Sequence, residues 1–145
     1  MAEIQEQILS YFKKTQTIDL ATCDGVQPRV RPMTMVCHQQ RFFLATGSSD
    51  AKTKQVKQNP FAEILLPLHT EHNSGYIRIS GKLQFVCDQA LRKEIADISG
   101  YIYDYWQDST NPDYILFEFL PIEAQLLLPG EMISTNIIWN THTGE

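Results

Sequence analysis

The sequence predicts a mainly β (α+β) domain in which antiparallel strands close into a small barrel and short helices plug its ends. Three observations carry this expectation. The chain has 145 residues, enough for one hydrophobic core but marginal for two. Apolar residues recur at a spacing of two in three stretches, the mark of half-buried strands, and three further short stretches also read as strands. The helical stretches between them are short, and no repeat, low-complexity run or linker divides the chain, so residues 1–145 read as a single domain. A hydrophobic content of 43% and a charged content of 20% exclude disordered, collagen-like and disulfide-framework classes.

Taken in order, Ile4, Ile8, Leu9, Tyr11 and Phe12 share one face at helical spacing, which predicts an amphipathic helix over 3–15, so that residues 1–16 cover the barrel. From Thr17 the period drops to two. Ile18, Leu20 and Thr22 alternate with Asp19, Ala21 and Cys23 up to Asp24-Gly25, a hairpin signal. The return strand, 28–37, sets Val30, Pro32, Thr34 and Val36 against Arg29, Arg31, Met33, Met35 and Cys37, and its prolines place it at an edge or bulge. After a turn at 38–40 a third strand runs over 41–46. Gly47-Ser48-Ser49-Asp50 opens a helix that must stop near Asn59, ahead of Pro60. A strand over 61–66, a polar loop over 69–74 and a long alternating strand over 76–85 follow. Asp88 caps a second amphipathic helix ending at Gly100. An aromatic stretch over 101–106 precedes the last strand, 114–120, which leads through Pro121 to the apolar residues 124–128.

Twelve Lys and Arg against seventeen Asp and Glu give a formal charge of −5, which argues against a general affinity for nucleic acid or anionic membrane. The acidic start Met1-Ala2-Glu3-Ile4-Gln5-Glu6 is no signal-peptide n-region, and no apolar run approaches a bilayer span, so a cytoplasmic protein is expected. Cys23, Cys37 and Cys87 are odd in number and widely spaced, and they read as buried reduced thiols.

The stretch Ala45-Thr46-Gly47-Ser48-Ser49-Asp50-Ala51-Lys52-Thr53-Lys54 is the richest in chemistry. Lysines in the first turn of a helix oppose its macrodipole by roughly a few tenths of a kcal/mol, and Lys52 and Lys54 both sit there. A bound anion would reverse the sign. Free N–H groups, hydroxyls and an ammonium converging at a helix start make a phosphate cradle. The same residues also suit a solvated surface helix with an ordinary Ser or Asp cap.

Arg31-Pro32-Met33 on one strand, Phe43-Leu44-Ala45-Thr46 on the next, Lys52 six residues after the threonine, Val56 four further on and Asn59-Pro60 closing the helix resemble the flavin-binding split barrels of the pyridoxamine 5′-phosphate oxidase-like family. The segment Gly75 to Leu83 is similar to the family's long barrel strand. The Asp88 helix and the strand from Tyr114 to Pro121 follow in the same order, so the resemblance spans residues 5 to 128. It implies a six-stranded antiparallel split β-barrel and a homodimer with FMN held non-covalently at the interface. Carried over residue by residue, it implies Thr46 and Lys52 at the phosphate, Ser48 and Ser49 as extra donors, and Arg31 and Met33 beside the ring or ribityl chain. A cation near the pyrimidine edge stabilises the reduced anionic flavin and raises its potential, which gives Arg31 a purpose beyond pairing with a neighbouring acid. The implied activity is that of an oxidoreductase or flavin reductase with a small-molecule electron donor or acceptor. Transfer at flavin N5 needs no protein base, so no catalytic residue is assigned.

Two departures stand against the pattern. Asp50 occupies a position usually serine, and Ala51 one that is often arginine, so a donor becomes a negative charge and a cation is lost; weaker phosphate binding is expected. The segment 139–145 lacks the Arg-x-His element of pyridoxamine phosphate oxidases proper, so a vitamin B6 enzyme is not expected. The alternatives are a non-catalytic flavin-binding or stress-response module, which Asp50 favours, and a haem- or F420-binding member of the same barrel, with His69, His72 or His142 as axial ligand. His69-Thr70-Glu71-His72 lacks zinc-site spacing and reads as a solvated loop, so no metal is expected. Tyr101, Tyr103, Tyr105, Trp106 and Trp139 read first as packing, and the Met33 and Met35 face as surface that a dimer covers.

Overall fold

Asp24-Gly25 turns the chain through the first hairpin, with Gly25 at φ +63°, in the computed structural model, which describes residues 2–141. Strands β1 (Thr15–Asp24) and β2 (Gln27–His38) pair over the full length of β1, from Thr15 opposite Val36 to Asp24 opposite Gln27. β3 (Arg41–Gly47) continues the meander, β4 (Phe61–His69) returns to the free edge of β1, and β5 (Ser74–Phe85) and β6 (Tyr114–Leu127) complete the sheet. The order is β3-β2-β1-β4-β5-β6, and β3 pairs with the first half of β6 to close a six-stranded antiparallel barrel. A seventh strand, β7 (Thr135–Ile138), pairs with Glu123–Leu126 in the second half of β6.

Period-two alternation sends one set of side chains into the barrel. Ile18, Leu20, Met35, Phe42, Leu44, Ile64, Ile77, Ile79, Phe117 and Phe119 are all buried there. Helix α1 (Ala2–Ser10) closes one end: Ile8 is fully buried, Phe12 sits edge-on to Phe42 at 5.2 Å, and Gln5 exchanges two hydrogen bonds with the Asn140 backbone at 2.9 and 2.8 Å. Helix α2 (Ala51–Gln58) rests on β1 and β3, with Val56 entering the barrel core. Outside the barrel, helices α3 (Gln89–Ser99) and α4 (Ile102–Trp106) bury Ile95, Ala96 and Ile102 against Val36, Phe43, Tyr114 and Leu116. Asp88 caps α3 by accepting from the Ala90 amide at 2.9 Å, and Gly100 ends it at φ +78°.

Several expectations need correction. α1 ends at Ser10 rather than 15, because the Tyr11 and Phe12 amides tighten onto the Ile8 and Leu9 carbonyls and β1 starts at Thr15. β4 runs on to His69 through Pro67, tolerated because β1 pairs only as far as Leu65, so no amide is required of Pro67 on that side. The aromatic stretch forms α4, and β7 lies beyond the last expected strand. Met35 is fully buried and Met33 half-buried against the barrel core, so this face turns to the interior and is not the open apolar surface expected. Trp139 also joins that core, 6.2 Å from Phe42. Cys23 and Cys37 are half-buried, but Cys87 is exposed; all three are free thiols.

Candidate functional site

β3 delivers Thr46 to the corner where α2 begins, with its side chain buried. The loop after it is tied down at both ends. The Ser48 amide donates to the Asp113 carbonyl at 3.0 Å, the Ser48 hydroxyl donates to the Asp113 carboxylate at 2.7 Å, and Thr53 Oγ1 donates to the Gly47 carbonyl at 3.1 Å. These bonds place Asp50 at the cap of α2, in extended backbone, where its Oδ1 accepts from the Lys52 amide at 2.8 Å.

The carboxylate is also the ion-pair partner of Lys52. Lys52 Nζ lies 2.9 Å from Asp50 Oδ2, and the lysine side chain is only 11% exposed. Burial alone would raise the Asp50 carboxyl; the hydrogen bonds from the Lys52 ammonium and amide and from the Thr46 hydroxyl outweigh it and hold the group below the usual carboxylate value. Arg31 approaches from β2. Its Nη1 donates to Thr22 Oγ1 at 2.8 Å and to the Leu20 carbonyl at 3.3 Å, while Thr22 donates to Gln55 Oε1 of α2 at 2.9 Å. Burial draws the Arg31 guanidinium below its ordinary value; the charge of Asp50 supports its charged form and that of Arg29 opposes it.

The structure therefore gathers Arg31, Thr46 and Lys52 around Asp50. Met33 follows Arg31 on the same face of β2, half-buried. Ser48 is directed at Asp113, and Ser49 is exposed. Sequence reasoning missed Thr22 and Gln55, which orient Arg31, and Asp113, which anchors the loop. A buried threonine within the apolar alternation of β1 was the available sign for Thr22; nothing local marks Asp113. The donor set suits an anion, and the anion it holds is the chain's own carboxylate. Among the described residues no group of three His, Cys, Asp or Glu could hold a metal ion. His69 and His72 lie exposed around the β4–β5 turn, and His142 is outside the described residues. No described helix is long and apolar enough to cross a membrane.

Against known proteins, the sequence profile described as pyridoxamine 5′-phosphate oxidase matches residues 4–127. Solved structures share the fold at low identity. General stress protein 26 from Bacillus anthracis strain Sterne is 18% identical with a TM-score of 0.75, covering 94% of this chain and 99% of that one. A NimC/NimA family protein from Clostridium acetobutylicum is 18% identical with a TM-score of 0.73, covering 91% and 90%. A protein from the same organism, described as related to general stress protein 26 and of the pyridoxinephosphate oxidase family, is 17% identical with a TM-score of 0.72, covering 93% and 92%. No curated protein matches the chain.

Proposed function

Because this chain belongs to the pyridoxamine 5′-phosphate oxidase family, we propose that it is a flavin-binding redox protein that works as a cytoplasmic homodimer on small molecules, with FMN as the flavin its residues resemble most. The observation carrying this reading is the convergence of Arg31, Thr46 and Lys52, from three separate elements, at one corner of the barrel. A flavin held there would supply hydride or single-electron transfer. The chain's own part is to bind and tune. Arg31, held by Thr22 and the Leu20 carbonyl, presents a fixed positive charge, and Met33 offers an apolar surface beside it. No side chain has to move a proton.

The partner copy has a candidate seat on the outside of the barrel. Val30, Ala21, Glu63, Ser80, Glu123 and Ile138 form one row of paired positions across β2, β1, β4, β5, β6 and β7. Val30 and Ile138 stand 71% and 72% exposed at its ends. Grooves of about 680 and 440 Å³ run along this face, the first over the Arg78–Glu63 ion pair and the second beside Phe61 and Ile122. Apolar groups exposed in such number favour coverage by a second protein surface.

A second reading, a flavin-holding module without turnover, is favoured by Asp50 alone. Fluorescence titration of FMN tests the proposal: saturable quenching at one flavin per chain is expected, weakened about tenfold or more in Arg31→Ala by loss of a charge-assisted contact. Absence of quenching, or equal quenching in the variant, would contradict it.

A further inference from the structure

We infer that Asp50 fills the phosphate place of this chain with its own carboxylate, so that the protein does not select for the terminal phosphate of its flavin, and riboflavin and FMN bind it about equally. The inference rests on the flavin reading above and deepens it.

Two contacts converge on the one carboxylate, the Lys52 amide at 2.8 Å and the Lys52 ammonium at 2.9 Å, and the nearby Thr46 hydroxyl favours its charged form. These are the donors a phosphate at this helix start would use. They are already taken. A phosphate sharing them with Asp50 would place two anions within hydrogen-bonding distance of one ammonium, where the partly buried setting screens their repulsion poorly. A phosphate displacing Asp50 would have to break its cap on α2, whose first turn contains no other acid, and its pair with Lys52, leaving the displaced carboxylate without its donors beside a second anion. Either route cancels much of what the phosphate gains. The ring and ribityl chain are not subject to this conflict, because Arg31 bonds to Thr22 and Leu20, not to Asp50. Asp50 is thus the residue that decides whether the ligand class includes a phosphate.

Neutral substitution separates the cap from the charge. Asp50→Ser and Asp50→Asn both keep an acceptor for the Lys52 amide while releasing Lys52 and Thr46. The experiment titrates wild type and Asp50→Ser with riboflavin and with FMN, and follows the melting of both proteins with added inorganic phosphate. In wild type the two flavins should differ in Kd by less than about threefold. In Asp50→Ser, FMN should gain about tenfold or more over riboflavin, the worth of one charge-assisted hydrogen bond. Inorganic phosphate should raise the melting temperature of Asp50→Ser and leave wild type unchanged. A wild type that prefers FMN by tenfold or more, or a preference that the substitution leaves unaltered, overturns the inference. If neither protein binds any flavin, the flavin reading fails and the phosphate melts decide: stabilisation of the variant alone upholds the role of Asp50, and equal or absent stabilisation overturns it. Should Asp50→Ser show no cooperative melt, Asp50→Asn, which matches aspartate in shape, takes its place.

Discussion

Lys52 shows how a partner changes what a position means. Read along the sequence it is a misplaced first-turn lysine waiting for an anion; in the fold the anion stands two residues upstream, and both side chains leave the helix start on the same side. The spacing of Arg31, Thr46 and Lys52 was therefore legible, because each is fixed by its own strand or helix. The pairing inside the loop was not, since Ser48 could face a phosphate or a protein acceptor, and the acceptor it meets, Asp113, lies 65 residues away. The ion pair carries a pH signature. Folding holds the Asp50 carboxyl below its ordinary value of 3.8, so its contribution is complete above that value and is lost as pH falls through the lower folded-state value. Asp50→Asn keeps the cap but not the charge. Given a carboxylate that is 37% exposed, the loss at pH 7 should be about 1 kcal/mol or less, a few degrees of melting temperature. The gap to wild type should close in acid; a gap that persists unchanged at pH 2 would show that the charge contributes nothing.

Among the elements, those with a strong period were legible. β1, β2 and β5 follow their alternation, β3 and the first half of β6 follow their apolar runs, and α3 follows its cap and its closing glycine. α4 and β7 were not legible. α4 is five aromatic-rich residues with no side-chain cap, ordered by burial of Ile102 and by Trp106 stacking on Tyr114 at 5.5 Å. β7 has four residues and depends on the edge of β6 for its partner. Gly81 shows what the long strand required. It sits at a register shift between β5 and β6, where an added Cβ would lie 2.3 Å from the Leu120 carbonyl oxygen and 2.8 Å from the Phe119 ring. Backbone cannot yield there without breaking the pairing. Gly81→Ala should cost about 3 kcal/mol, whereas Gly25→Ala, in open space but at φ +63°, should cost about 1 kcal/mol. Chemical denaturation of the two variants checks the order, and an equal loss would place the constraint in conformation and not in the close approach.

At the scale of the molecule, the alternation of β2 offered two faces, and sequence alone could not say which lay inside. Closure of β3 onto β6 decides it: Met35 goes into the barrel, while Val30 stays outside with Phe61 and Ile138. The exposed apolar surface is accordingly on the outer sheet, with the Arg78–Glu63 pair between its apolar ends, and it is there that the proposed second copy would sit. β2 carries both this surface and the corner at Arg31, and one measurement addresses the two together. Sedimentation velocity of the protein with FMN, recorded at a wavelength where flavin absorbs and protein does not, should show flavin moving in a single boundary at twice the chain mass of 16.7 kDa, at one flavin per chain. Flavin left behind by the protein boundary, or a boundary at the mass of one chain, would contradict it.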